Sequence, residues 1–179
     1  MPLSQKILPH YTYKDYVHWE GRWELIEGHP IAMSPQPTLK HQRITASLIT
    51  EFGIALKKDC RKCKVLDPVD YKISEDTILQ PDLSIICKDS NKPFLDFPPS
   101  LIAEVLSPST AIRDRNTKYE IYQQQGVKYY LIADPDDKSI EIYLLINNVY
   151  QLQNHSNKFE FNLDEDCSLP IDFNELDWS

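Results

Sequence analysis

Glycine is scarce in this chain, four in 179 residues, and no repeat or low-complexity tract interrupts it. Composition therefore points to one globular domain with a core of useful size, residues 1–179, its centre at about 13–155. There is no apolar run long enough to span a bilayer, and Met1-Pro-Leu-Ser-Gln-Lys6 lacks a signal-peptide pattern. No membrane partner is expected, and the expected compartment is the cytoplasm. Cysteine is equally rare. Cys60-Arg-Lys-Cys63 is a single CxxC without a second pair, Cys87 falls in an apolar run and Cys167 stands alone. Zinc is not expected from that pattern, and the thiols are expected to be free.

Cations are outnumbered, 19 Lys and Arg against 27 acids, and the net charge of −8 argues against a generally sticky nucleic-acid binder. The charge is uneven. Between Lys40 and Lys64 seven Lys/Arg face only Glu51 and Asp59, whereas from Asp134 to Ser179 eleven acids face Lys138 and Lys158. The first stretch suits phosphates; the plain alternative is that both are solvated faces.

What the chain does contain is concentrated between Gln80 and Gly126. Asp82 precedes the apolar run Leu83-Ser-Ile-Ile-Cys87, and Glu104 interrupts Leu101-Ile-Ala-Glu-Val-Leu106. Both runs read as buried strands. If they are neighbours, period-2 geometry puts Asp82, Ser84 and Ile86 on one face of the first, and Ile102, Glu104 and Leu106 on one face of the second. The acids then converge. Two such charges in a partly dry site share a proton or hold a divalent cation. Ser107-Pro-Ser-Thr110 supplies hydroxyl caps for a helix running to Gln125, stopped by Gly126, and Asp114, Lys118 and Tyr122 share one of its faces. A plainer reading makes Asp114 and Lys118 a surface pair.

Elsewhere the pattern is an α/β (α+β) one with β-hairpins added. A short helix capped by Thr12 is followed by a hairpin, Trp23 to Glu27 and Pro30 to Met33, with Glu24 and Ile26 on the face opposite Trp23 and Leu25. Ser34-Pro-Gln-Pro-Thr38 reads as a loop, and Thr38 caps a long helix to about Lys58 with Ile44, Leu48, Phe52, Ala55 and Leu56 on its apolar face. His41 lies at the edge of that face, where a capping or core role is the ordinary one. Lys64 to Ser74 reads as one half-buried strand, Lys128 to Asp134 as a buried one, and Ser139 to Leu152 as a hairpin turning at Asn147-Asn148. The acidic tail packs through Leu169, Ile171, Phe173 and Leu176.

Taken in order, Pro81-Asp82, Glu104-Val-Leu-Ser-Pro-Ser-Thr110, Asp114, Lys118-xxx-Tyr122 and Gly126-Val-Lys-Tyr-Tyr-Leu resemble the bacterial Uma-two family of restriction endonucleases, a branch of the PD-(D/E)XK superfamily. Trp23-Glu-Leu-Ile-Glu-Gly28, Met33-Ser-Pro35 and His41 resemble its amino-terminal pattern, and the resemblance covers roughly Tyr13 to Tyr150. It implies a restriction-endonuclease-like core, a mixed β-sheet flanked by helices, around a metal site. Asp82 and Glu104 take the positions of the two acids and would ligate Mg²⁺ or Mn²⁺. Leu106 departs from the superfamily pattern, which has lysine there. In relatives lacking it a lysine from the following helix fills the space, and Lys118 matches. Glu24 and His41 match recurring polar positions and would complete the catalytic set.

Hard oxygen ligands suit a cation that neutralises charge on phosphoryl oxygens, and an ammonium would orient or deprotonate the attacking water. The implied function is a metal-dependent DNA endonuclease, expected as a homodimer. The alternatives are a catalytically silent module of the same fold that binds nucleic acid or protein, and a small-molecule phosphohydrolase.

Overall fold

The computed structural model describes residues 8–33 and 37–179. The Met1–Lys6 segment, the Ser34 to Gln36 part of the expected loop, and with it most of Met33-Ser-Pro35, lie outside the described residues.

Helix α1 (Tyr13–Tyr16) starts where expected, with the Asp15 carboxylate accepting from the Thr12 N–H at 2.8 Å. Strands β1 (Trp23–Ile26) and β2 (His29–Ala32) form the hairpin. Its two turn residues, Glu27 (φ 48°) and Gly28 (φ 76°), both lie in the left-handed region that a tight hairpin of this twist requires. Helix α2 (Leu39–Asp59) begins with the Thr38 hydroxyl accepting from the His41 N–H, and it buries Ile44, Leu48, Phe52 and Leu56 at helical spacing. Then come β3 (Lys64–Leu66), β4 (Tyr71–Lys72), β5 (Ile78–Leu79), β6 (Leu83–Ile86) and β7 (Leu101–Val105). A helical crossover made of α3 (Ala111–Arg113), a π-helical turn (Asp114–Lys118) and α4 (Tyr119–Gln124) leads to β8 (Tyr129–Asp134). The chain ends with β9 (Ser139–Ile146), β10 (Val149–Leu152), β11 (Lys158–Asp164) and β12 (Cys167–Asp172).

The central sheet has the order β10-β9-β8-β7-β6-β3. Only β7 and β8 run parallel, because the helical crossover returns the chain to the end at which β7 began. One face of this sheet packs Leu83, Ile85, Leu101, Ala103 and Leu131 against α2 and the β11–β12 hairpin. The other packs Ile102, Ile132 and Tyr130 against Tyr122 and Leu106. A second sheet, β2-β1-β5-β4, stands beside it.

Three expectations are corrected. Lys64 to Ser74 is not one strand: Pro68, which offers no N–H to a ladder, separates β3, paired with β6, from β4, paired with β5 in the other sheet. The helix after Ser107 is not regular but widens into a π turn at Asp114–Lys118, and the Thr110 hydroxyl bonds back to Ser107 rather than capping the helix. Finally, the cysteines are not free: Cys60 pairs with Cys167 and Cys63 with Cys87. The acidic tail, by contrast, packs as expected: Leu169, Ile171, Phe173 and Leu176 are buried in the same cluster as α2, together with Phe161 and Leu163. Among the described residues no helix is long and apolar enough to cross a membrane.

Candidate active site

The site forms where β6 and β7 run side by side. Leu83 faces Ala103 and Ser84 faces Ile102, so the next step in the antiparallel register sets Asp82 opposite Glu104. The expected face assignment follows, since Leu83, Ile85, Leu101 and Ala103 turn to α2 while Ile86, Ile102 and Leu106 turn to the opposite side.

Asp82 keeps one oxygen occupied. Its Oδ2 accepts from His41 Nε2 at 3.1 Å and from the Val105 N–H at 2.9 Å. Burial opposes the charge on Asp82, but the hydrogen bond and charge of His41 and the Val105 N–H outweigh it and hold the carboxyl below its ordinary range. Glu104 Oε1 accepts from Lys118 Nζ at 3.0 Å and from the Tyr122 hydroxyl at 2.8 Å. Its carboxyl is nevertheless pushed well up: burial is the main cause, and Asp114, Asp82 and Glu24 add repulsion that Lys118 only partly offsets.

Lys118 is 1% exposed. Its Nζ lies 2.8 Å from Glu24 Oε1, 3.0 Å from Glu104 Oε1 and 3.6 Å from Asp114 Oδ1. Burial works against the ammonium, yet these three acids more than compensate and raise its pKa, so Lys118 is protonated at neutral pH. The surface-pair reading of Asp114 and Lys118 is thereby excluded. Burial likewise raises the Asp114 carboxyl, with Lys118 opposing. Glu24, fully buried on β1, also accepts from the Gln80 N–H at 3.0 Å, which ties the second sheet to the site.

All five candidates, Glu24, His41, Asp82, Glu104 and Lys118, thus meet in one place. Tyr122 and Arg113 join them. The Tyr122 hydroxyl had its signal in the i, i+4, i+8 spacing from Asp114. Arg113 had none: its Nε lies 3.6 Å from Glu24 Oε2, a residue far away in sequence. His41, Asp82, Glu104, Lys118, Arg113 and Arg22 open on a cavity of about 270 Å³.

This donor set fits a hard divalent cation. Four buried acids, Glu24, Asp82, Glu104 and Asp114, surround the two cations Lys118 and Arg113. Among the described residues the hydrogen bonds of Asp82 all use Oδ2 and those of Glu104 all use Oε1, which leaves Oδ1 and Oε2 as ligands. No third acid or histidine among them joins these two within 4.8 Å. Two carboxylates suffice for Mg²⁺, which usually retains several waters.

The basic stretch lies elsewhere. Lys57 is about 24 Å along α2 from His41, and Lys40, Lys62 and Lys64 pair with Asp136, Asp164 and Asp89. Arg22 and Arg113 are the arginines at the cavity.

A protein of Synechocystis sp. described as uncharacterized is 28% identical over 152 residues, 75% of this chain and 74% of its own. A crystal structure from Anabaena variabilis, described as a putative nuclease belonging to DUF820, superposes with a TM-score of 0.67 at 18% identity, covering 82% of this chain and 86% of that one. The fold is therefore restriction-endonuclease-like, as the resemblance implied. Residues 13–176 match the family Uma2, described as "Putative restriction endonuclease", and the chain belongs to that family.

Proposed function

We propose that the chain is a Mg²⁺- or Mn²⁺-dependent endonuclease that hydrolyses phosphodiester bonds of DNA. The observation that carries this reading is the meeting of Asp82 and Glu104 at one cavity, with the Lys118 ammonium 3.0 Å from Glu104. A divalent cation on Asp82 and Glu104 would stabilise charge on the phosphoryl oxygens and make a bound water more acidic. His41 fixes Asp82 by its Oδ2 and leaves Oδ1 to the cation. Lys118, held protonated by Glu24 and Glu104, acts as a donor: it orients the attacking water or meets negative charge developing on phosphorus-bound oxygen. A role as general base does not suit it, because its proton is held too tightly. Arg22 and Arg113 would receive neighbouring phosphates.

For cutting both strands we favour a homodimer. The β10 edge of the central sheet, with Val149 55% and Leu152 58% exposed, suits two-fold pairing with a second copy. The cytoplasm is the compartment in which such an enzyme meets DNA.

A second reading, hydrolysis of a small phosphorylated molecule, is favoured by the modest cavity and by the remoteness of the basic stretch. Incubation with supercoiled plasmid and Mg²⁺ separates the readings. Nicked or linear product supports the endonuclease. Release of phosphate from nucleotides with intact plasmid supports the second reading, and salt-sensitive plasmid binding without cleavage would indicate a silent descendant.

A further inference from the structure

At the opposite end of α2 from the acids, four cysteine sulfurs from three separate chain segments occupy one small volume. Cys60 follows the last turn of α2, and the Cys63 N–H donates to its carbonyl at 3.2 Å, so the CxxC forms a tight turn into β3. Cys87 follows β6, where the β3–β6 register sets it opposite Cys63, and Cys167 opens β12. Across the two disulfides the sulfurs remain close: Cys60 to Cys63 is 3.4 Å and Cys63 to Cys167 is 3.6 Å. Four thiolates around one zinc ion at about 2.3 Å stand about 3.8 Å apart. Cys63 is already near that spacing from Cys60 and Cys167, and those three sulfurs lie within 4.8 Å of one another; Cys87, bonded to Cys63, is the one that must move to join them.

We propose that the reduced chain binds one Zn²⁺ through Cys60, Cys63, Cys87 and Cys167, a closed structural centre distinct from the acid site. In a reducing compartment the two disulfides are converted to thiols. The two disulfides take four electrons and four protons from four equivalents of a thiol reductant, which leaves as two disulfides. Zinc binding then releases the four protons as the ligands become thiolates.

A second observation points the same way. A zinc tetrathiolate carries a net charge of −2, and the cations Lys57, Lys58, Arg61, Lys62 and Lys64 flank Cys60 and Cys63 within an otherwise acidic protein. Lys62 and Lys64 are paired with Asp164 and Asp89, so among the described residues Lys57, Lys58 and Arg61 are the cations that would favour the thiolate form. Cys60, Cys63 and Cys167 are at most 4% exposed and Cys87 is half-buried, and four protein ligands fill a tetrahedral zinc centre with no position left for substrate. The ion would join the carboxyl end of α2 to β6 and to the β11–β12 hairpin.

The test reduces the purified chain with excess dithiothreitol, removes the reductant anaerobically, and titrates Co²⁺ in the presence of saturating Mg²⁺. We expect intense sulfur-to-cobalt charge-transfer absorption that saturates at one ion per chain and is bleached by one equivalent of Zn²⁺. The four thiols should become unreactive to a thiol reagent until a chelator is added. Cys87→Ser and Cys167→Ser should each weaken the absorption, and should either variant fail to fold, the wild-type titration still decides. A reduced chain without that absorption, or with four thiols equally reactive with and without metal, overturns the proposal. Carboxylate-bound cobalt cannot mimic the result, because the absorption requires sulfur.

Discussion

Replacing Lys118 by methionine, similar in length and apolar, tests how the acid cluster is held together. Glu24, Glu104 and Asp114 would lose the ammonium that lies 2.8, 3.0 and 3.6 Å from them, in a place almost without solvent. Removing one partner of a buried ion pair leaves uncompensated charge and costs about 3–5 kcal/mol. For a chain of this size that corresponds to a fall in Tm of roughly 6–20 °C, at about 2–4 °C per kcal/mol. The sign of the pH dependence follows from the raised carboxyls. Glu104 and Asp114 already titrate above their ordinary values, and without Lys118 they rise further. A group whose folded pKa is raised favours the folded state most below its unfolded value, and that benefit disappears as pH climbs through the folded value. The Lys118→Met deficit should therefore be largest at neutral pH and shrink on acidification toward the ordinary carboxylate range. Urea denaturation of both proteins at several pH values, followed by circular dichroism, measures it. A loss below about 1 kcal/mol at pH 7, the scale of an exposed pair, would refute a buried, charged Lys118.

Three further outcomes follow from the same geometry. Tyr122→Phe removes the hydroxyl 2.8 Å from Glu104 Oε1 and should cost about 1.5–3 kcal/mol in urea denaturation, the range for a lost hydrogen bond to a charged group; no change would place the Glu104 charge elsewhere. Burial pushes the Asp82 carboxyl up, and His41→Ala removes the contact that does most to hold it down. Asp82 should then titrate higher, and the pH midpoint of Mn²⁺ binding, followed by calorimetry, should move up; an unmoved midpoint would show that His41 does not act through Asp82. For the homodimer, sedimentation equilibrium should give twice the chain mass and Val149→Lys should halve it, whereas a wild-type monomer at micromolar concentration would exclude the β10 pairing.

Much of the site could be read in the chain because its geometry is local. Strand periodicity alone turns Asp82 and Glu104 to one side, and helical spacing alone aligns Asp114, Lys118 and Tyr122. Thr38, Asn147 and Asn148 each carry a backbone requirement that identifies the element they begin or turn. What escaped was long-range. The β11–β12 hairpin alternates Phe159, Phe161, Leu163 with Cys167, Leu169, Ile171, but its acidic turn read as a tail. Arg113 reaches Glu24 across 89 positions of sequence, and the cysteine cluster joins Cys63 to Cys167 across 104. Neither separation leaves a periodic trace. The π turn at Asp114–Lys118 is equally silent in sequence; packing around Tyr130, whose hydroxyl donates to the Asp114 carbonyl at 2.8 Å, accompanies it.

The central claim is that Asp82 and Glu104 hold the cation on which cleavage depends. Supercoiled plasmid incubated with the purified chain and Mg²⁺ or Mn²⁺ should be nicked or linearised, EDTA should stop the reaction, and Glu104→Gln should abolish it while remaining folded by circular dichroism. Cleavage that survives in Glu104→Gln, or a wild-type chain that binds Mn²⁺ and leaves plasmid intact, would contradict the account.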